Sequence, residues 1–322
     1  MAHQPLTTGR DHGPLSAEPI AQSVADLIGR TPLLTFTVDG VDPSVRMLAK
    51  LEMLNPLSSV KDRAARWMVL EAERTGQLPS TGGTVIECSS GSTGISLAAL
   101  CVPRGHRCVI VMPDNATEER RLLLRALGAE IVLVPHEDGL LAAWAVAEEL
   151  QRGIPGSWVP HQDRNTANVL AHYTTTGPEI WADTGGRVDV LVVGVGTGGT
   201  LSGTAGFLRE RCDVRVVAVE PERSAVLSGG EGGPHGIPGI GAGYISEITD
   251  LDLIDEVVTV PDEVAAESAA RLTRSLGLPI GISSGAAAWA AGETCRRAAS
   301  TGLTVVTIFP DTGERYLSTQ RD

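Results

Sequence analysis

The chain has 322 residues, 42% of them hydrophobic and 20% charged, so it can bury the cores of about two globular domains. Its 26 basic and 39 acidic residues give a net charge of −13, which argues against a nucleic-acid or anionic-membrane surface. No run of about 18 apolar residues occurs, so we expect no transmembrane helix. The five cysteines are scattered without a CxxC pair, which favours a reducing cytoplasm and no metal site.

Short apolar runs alternate with helical patterns along the chain. A polar stretch at 1–18 is interpreted as a flexible arm without the apolar core of a signal peptide. The predicted strands are 47–52, 84–88, 107–112, 130–134, 190–194, 214–219, 257–260 and 304–309. The predicted helices are 61–76, 93–103, 117–127, 139–151, 166–182, 200–210, 263–276 and 285–298. This alternation indicates βαβ units and parallel sheets that are buried on both faces.

Lysine is almost absent from the sequence. Of the 26 basic residues, two are lysines, Lys50 and Lys61, and the remaining 24 are arginines, which cannot form a Schiff base. Ser58 and Ser59 are predicted to begin a helix before Lys61, so the helix dipole and nearby Arg63 should lower the pKa of its amine. Lys50 falls in a predicted strand, where we expect a paired or solvated charge. A codon bias toward arginine would leave the same two lysines, so this count alone leaves both explanations open.

Three turns rich in glycine and hydroxyl groups precede predicted helices. In 194–203 (GVGTGGTLSG), backbone N–H groups at a helix N-terminus can cradle a phosphate. The segment has neither the acidic ribose ligand of a dinucleotide fingerprint nor the lysine of a P-loop. The turn at 87–95 (ECSSGSTGI) suits a carboxylate, and 281–286 (GISSGA) is a third of this kind. Each turn alone is also typical of an ordinary helix cap, but together with a Schiff-base lysine they match what pyridoxal phosphate and an amino acid require.

These motifs resemble those of the cysteine synthase family, the pyridoxal-phosphate enzymes of fold type II. The resemblance extends over nearly the whole chain, from Leu27 to Thr319. It is carried by the lysine motif at 55–63, the phosphate loop at 196–200, the active-site mouth at 234–245, the serine segment at 281–286 and the C-terminal signature at 310–319.

The resemblance implies an α/β fold of two three-layer domains with mostly parallel sheets, similar to the tryptophan synthase β subunit. Residues 52–160 would form the smaller, movable domain with the substrate-carboxylate loop. Residues 19–51 and 161–322 would form the larger domain, which binds the cofactor phosphate.

The resemblance also assigns roles to individual residues. Lys61 would hold pyridoxal 5′-phosphate and remove the α-proton of the substrate. The other cofactor contacts would be Ser92, Gly196, Thr197, Gly198, Gly199, Thr200 and Ser283, the last facing the pyridine nitrogen. The substrate contacts would be Ser89, Ser90, Gly91, Thr93, Gln162 and Gly241.

The implied reaction is a β-replacement on an O-activated serine such as O-acetylserine. An aminoacrylate would form, and a small nucleophile would add at Cβ to give cysteine or a related β-substituted alanine. A hydroxyl at Ser283 cannot keep the ring nitrogen protonated as a carboxylate would, which favours prompt β-elimination. The resemblance further implies a cytoplasmic homodimer whose partners are small molecules, with no nucleic acid or membrane.

Several residues depart from the family pattern. Ser92 replaces an asparagine that contacts the cofactor ring oxygen, so that hydrogen bond should be lost or water-mediated. Cys88 replaces a proline, and Asp163 and Arg164 are new beside Gln162, where they could change the second substrate.

Two other functions remain open. The Gly-Ser-Thr-Gly loop and the segment 171–181 (AHYTTTGPEIW) also resemble a cysteine desulfhydrase branch, which releases sulfide, pyruvate and ammonia. A non-catalytic binding protein on the same fold is the alternative from another class. The retained Lys61 and phosphate loop argue against that alternative.

Overall fold

The computed structural model describes residues 20–89, 91–297 and 301–317, so the predicted arm at 1–18 lies outside the described residues. The strands are Leu33–Thr35 (β1), Arg46–Leu51 (β2), Thr84–Cys88 (β3), Arg107–Pro113 (β4), Glu130–Val134 (β5), Ser157–Trp158 (β6), Val190–Gly194 (β7), Arg215–Pro221 (β8), Glu256–Val260 (β9) and Thr304–Phe309 (β10). The α-helices are Lys61–Thr75 (α1), Ser92–Cys101 (α2), Glu118–Ala126 (α3), Gly139–Gly153 (α4), Thr166–Ala171 (α5), Gly177–Asp183 (α6), Gly199–Arg209 (α7), Asp262–Leu276 (α8) and Ile282–Arg297 (α9).

The strands form two sheets. The larger sheet has the order β1-β2-β10-β7-β8-β9, in which only the edge strand β1 is antiparallel to its neighbour. The smaller sheet has the order β5-β4-β3-β6, and all its strands are parallel. The predicted α/β fold with mostly parallel sheets is therefore confirmed. All four strands of the smaller sheet lie within 52–160, but the domain boundaries themselves stay a prediction.

Helices cover both faces of the larger sheet. Along β7, Val190 and Val192 pack in one apolar cluster with Ala286 of α9. Leu191 and Val193 pack in a second cluster, which includes residues of α7. Because successive strand residues point to opposite faces, this alternation places one helix layer on each side of the sheet and explains the unbroken apolar runs in the sequence.

The structure differs from the sequence-based elements at a few places. Strands β1 and β6 were not predicted, because three and two residues are too short to show an alternating pattern. The predicted helix 166–182 is divided into α5, a π-helix at His172–Thr176, and α6. In this segment Gly177 lies against α7 so closely that a Cβ would come within 2.7 Å of the Phe207 Cβ. The spacing of hydrophobic residues along the sequence does not indicate a change from α-helix to π-helix.

Candidate active site

A cavity of about 330 Å³ lies where the carboxyl ends of strands from both sheets meet helix N-termini. This size suits a small organic ligand, and strand carboxyl ends are where open α/β sheets bind ligands. The cavity wall includes most of the predicted site residues, namely Lys61, Ser89, Gly91, Ser92, Thr93, Gln162, Gly196, Thr197, Gly198, Thr200 and Ser283.

Two described site residues are not on this wall, and a third predicted residue is not described. Ser90 lies outside the described residues. Gly199 is packed behind the phosphate loop, where an added Cβ would come within 2.3 Å of Asn168 Oδ1. Gly241 faces a separate, much smaller cavity, and its carbonyl oxygen lies 2.9 Å from His235 Nε2. Its neighbour Ala242 reaches the main cavity instead.

Lys61 begins α1, as the sequence predicted. The Ser59 hydroxyl accepts a hydrogen bond from the Lys61 backbone N–H at 3.2 Å. The Val60 N–H donates to the Pro310 carbonyl at 2.8 Å, so the segment after β10 also holds this helix start in place. Lys61 is thereby fixed between parts of the chain about 250 residues apart.

Burial lowers the pKa of the Lys61 amine to about 8, and the nearby Asp311 carboxylate opposes this shift. The direction agrees with the sequence-based expectation, but the cause does not. Arg63 was expected to act on Lys61, yet its guanidinium points away and binds Glu52 and Glu179. An amine with a pKa near 8 has an appreciable unprotonated fraction at neutral pH and can act as a nucleophile.

Lys50 lies in β2 and outside the cavity. Its side chain is completely buried, with Nζ 2.9 Å from Glu179 Oε2 and 3.4 Å from Asp183 Oδ2. It also donates to the Thr31 carbonyl at 2.5 Å. This agrees with the predicted paired charge and leaves Lys61 as the lysine of the cavity.

None of the three glycines of the phosphate loop can be replaced without a clash. A Cβ on Gly196 would come within 2.5 Å of the Gly239 carbonyl oxygen, and a Cβ on Gly198 within 2.1 Å of Thr249 Oγ1. Gly198 also has a φ of +78°, which favours glycine. A side chain at Gly198 would push apart the loop and the segment at Thr249.

Two buried side chains that the sequence reasoning did not identify position this loop. Asn168 Nδ2 donates to Thr197 Oγ1 at 3.1 Å, and His172 Nε2 lies 3.2 Å from Thr200 Oγ1. Burial lowers the pKa of His172 to about 3, so its imidazole is neutral at physiological pH. Both residues lie in the segment whose helix pattern the sequence showed, but nothing local indicated that they face the loop.

The carboxylate loop is held by its own hydroxyl groups. Ser89 Oγ accepts hydrogen bonds from the N–H groups of Gly91 and Gly94, at 3.3 and 3.1 Å. Thr93 Oγ1 donates to Gln162 Oε1 at 2.7 Å, which joins this loop to the segment after β6. Ser92 lines the cavity, but its hydroxyl accepts a hydrogen bond from Arg315 Nη1.

The wall also contains residues that the sequence reasoning did not assign, among them Arg120, Trp144, Tyr244, Asp311 and Tyr316. Tyr316 Oη donates to Asp311 Oδ2 at 2.5 Å, and burial raises the pKa of Asp311. The last two residues belong to the recognised C-terminal signature, which could have indicated them. For Trp144 the sequence offered no signal, because it lies in the middle of the amphipathic helix α4.

The residues present suit a phosphate-bearing aldehyde. The buried Lys61 amine lies on one part of the wall, and the glycine turn that opens the 11-residue helix α7 lies on another. Such a turn binds a phosphate through backbone N–H groups, and Ser283 at the start of α9 adds a hydroxyl. Fold and site together suit an enzyme that uses a phosphate-bearing cofactor, for which Lys61 would be the point of attachment.

Residues 24–311 match the family model described as pyridoxal-phosphate dependent enzyme, and the chain belongs to this family. A cysteine synthase from Staphylococcus aureus is 42% identical over 305 residues, covering 94% of this chain and 97% of the relative. An O-ureido-L-serine synthase structure is 40% identical with a TM-score of 0.89, covering 94% and 95% of the two chains. A hydrogen sulfide-producing enzyme from Fusobacterium nucleatum is 40% identical with a TM-score of 0.88, covering 92% and 100%.

The described residues contain neither a metal-binding cluster nor a membrane-spanning helix. No group of three or more histidine, cysteine, aspartate or glutamate side chains is arranged to hold a metal ion. Within residues 20–89, 91–297 and 301–317, no helix is both long and apolar enough to cross a membrane.

Proposed function

We propose that the protein catalyses β-replacement on an O-activated serine with pyridoxal 5′-phosphate as its cofactor. The observation that carries this proposal is the buried Lys61 amine, which has a pKa of about 8. It lies on the wall of a cavity that the phosphate loop and the carboxylate loop also line. The similarity to a cysteine synthase over 94% of the chain supports the same reaction class.

When bound, pyridoxal phosphate supplies an aldehyde for the substrate amino group and a ring that withdraws electrons from Cα. The turn at Gly196–Thr200 would hold the phosphate with backbone N–H groups at the start of α7, and Asn168 and His172 hold the two threonine hydroxyls of that turn. Lys61 would hold the aldehyde through Nζ, and its amine, once displaced by the amino group of the substrate, would accept the proton from the substrate Cα. The Asp311 carboxylate beside it favours the protonated amine that results.

The substrate carboxylate is assigned to the loop at 89–94. Gly91 and Thr93 lie on the cavity wall, and the Ser89 hydroxyl fixes the loop through two backbone N–H groups. Gln162 is joined to Thr93 and adds an amide donor from the other side.

The overall change is balanced without a redox partner. The bond from Cβ to the activated oxygen breaks, and the leaving group departs with the electron pair. A bond from Cβ to the nucleophile then forms. The nucleophile loses one proton, and the leaving group or the solvent takes up one proton, so protons also balance. The product is a β-substituted alanine.

A second candidate is β-elimination from cysteine. The observation that favours it is the similarity to the hydrogen sulfide-producing enzyme of Fusobacterium nucleatum, at 40% identity and a TM-score of 0.88. The two reactions share every step until the nucleophile adds, so the residues around Lys61 are compatible with both.

We also propose a cytoplasmic homodimer. All five cysteines are free and four are buried, which suits a reducing compartment. The dimer rests on the resemblance to the cysteine synthase family. Light scattering coupled to size-exclusion chromatography measures the mass and tests this directly.

The reaction is tested with the purified enzyme, O-acetylserine and sulfide. We expect more cysteine than pyruvate when both products are quantified, and no turnover of either kind in Lys61→Ala. Pyruvate in excess with every nucleophile would identify the enzyme as an elimination enzyme. If the wild-type protein consumes no O-activated serine and no cysteine, the proposed β-chemistry is wrong.

A further inference from the structure

Asp163 is a buried carboxylate on the wall of the active-site cavity, only 3% exposed. Its Oδ2 accepts a hydrogen bond from Tyr244 Oη at 3.3 Å. Its Oδ1 has no hydrogen-bond partner anywhere in the described residues. Leaving a buried carboxylate oxygen unpaired costs free energy, so this oxygen is expected to receive a donor when the enzyme works.

The neighbouring acidic groups do not supply that donor or cancel the charge. Glu87 at the end of β3 is buried, and its Oε2 also has no partner among the described residues. Burial and the nearby Asp163 raise the pKa of Glu87 to about 8, so Glu87 is largely protonated at neutral pH. Burial likewise raises the pKa of the Cys88 thiol to about 12, which excludes a reactive thiolate here.

The nearby cation neutralises Asp163 only weakly. Arg164 Nε lies 3.7 Å from Asp163 Oδ2, but its side chain is 51% exposed and lies closer to Glu247, at 3.2 Å. An ion pair that is this exposed is screened by water. The other cations of the wall lie elsewhere, since Lys61 faces Asp311 and the Arg120 guanidinium lies beside Tyr316.

Asp163 lies on the cavity wall beside a residue that contacts the carboxylate loop. It directly follows Gln162, which contacts Thr93 of the carboxylate loop. The rings of Trp144 and Tyr244 line the same cavity, and a guanidinium already lies 5.4 Å from the centre of the Trp144 ring. Aromatic faces and a carboxylate together attract a cation.

We infer that Asp163 selects a second substrate that carries a protonated amine beside its nucleophilic atom. The inference rests on the proposed β-replacement, in which a nucleophile must enter this cavity. The ammonium group would donate a charge-assisted hydrogen bond to the free Oδ1. An anionic nucleophile of the same size would be repelled, and a neutral one would leave the carboxylate unpaired.

A matched series of thiols tests this on the holoenzyme. 2-Aminoethanethiol, 2-mercaptoethanol and 3-mercaptopropionate present the same nucleophile with a positive, neutral or negative group. The ratio of kcat/KM for the amino thiol to that for the carboxylate thiol is compared between wild type and Asp163→Asn, because intrinsic thiol reactivity cancels in this comparison. We expect Asp163→Asn to lower the ratio at least about tenfold.

Control variants separate the effect of the Asp163 charge from that of other charges nearby. Glu247→Gln removes an exposed charge and should change the ratio by less than about twofold. Arg164→Gln removes the weak counter-charge and should raise the ratio. Non-reacting probes provide a test without any variant, because ethylammonium should compete with the thiol in the wild type whereas ethanol should not.

The outcomes distinguish a failure of the role inferred for Asp163 from a failure of the proposed β-replacement. If wild-type enzyme converts the thiols but Asp163→Asn shows the same ratio, or if ethanol inhibits as strongly as ethylammonium, the role of Asp163 is wrong. If no thiol reacts with any O-activated serine in the wild type, the proposed β-replacement is what fails.

Discussion

The two lysines of the chain have very different surroundings. Lys50 is completely buried and is paired with Glu179 and Asp183, so its charge is compensated inside the protein. Lys61 lies on the cavity wall, where burial lowers its amine pKa to about 8 and the Asp311 carboxylate opposes this shift. The same side chain is thus a structural cation in one region and, in the proposed function, a nucleophile in the other.

The difference shows how the fold assigns these roles. Arg63, only two residues beyond Lys61, completes the ion network around Lys50 by binding Glu52 and Glu179. Helix α1 therefore places one basic group in the network and leaves the other facing the cavity. Compensating the charge of a buried lysine stabilises the fold, whereas incomplete compensation makes the amine reactive.

The largest effect is expected from removing the cavity lysine. Lys61→Ala should lower kcat/KM at least about a thousandfold, because no other group on the wall can form the covalent link to the cofactor. Borohydride reduction of the wild-type holoenzyme followed by peptide mapping should place the pyridoxyl group on Lys61. Finding it on Lys50 would reverse the comparison between the two lysines.

An intermediate effect is expected from removing the structural lysine. Lys50→Met removes the buried partner of Asp183 and one of the two cations that bind Glu179, and should lower the free energy of unfolding by about 3 kcal/mol, measured by urea denaturation. The borohydride adduct should still form on Lys61. Arg74→Ala, which breaks only an exposed pair with Glu71, is the matched control and should leave the unfolding midpoint unchanged. Equal stability of Lys50→Met and wild type would show that the network does not stabilise the fold.

The smallest effect concerns the group that opposes the shift at Lys61. The negative charge of Asp311 favours the ammonium form, so Asp311→Asn should lower the pKa of Lys61 below about 8, by less than about one unit. Covalent addition of pyridoxal 5′-phosphate to cofactor-free protein requires the unprotonated amine, so its rate rises as the pH passes through that pKa. The pH midpoint of this rate should move down in the variant. A midpoint that moves up would contradict the assigned position of the carboxylate.

The sequence by itself determined the fold class and the main site segments. Apolar runs and helical periods are local, so the alternation of strands and helices follows from residues that are close along the chain. The glycine turn before α7 and the rarity of lysine are equally local signals, and they led to Gly196–Thr200 and Lys61. The family resemblance extended these signals to Gln162 and Ser283, which the structure places on the same cavity.

Only the tertiary structure decided what surrounds those residues. The pKa of Lys61 depends on burial and on Asp311, which lies 250 positions further along the chain, and not on the adjacent Arg63. The hydroxyl of Ser92 is bound by Arg315, and Thr200 is positioned by His172. Burial and pairing are set by packing between distant segments, and no local pattern records which carboxylate, such as Asp163, is left with an unpaired oxygen.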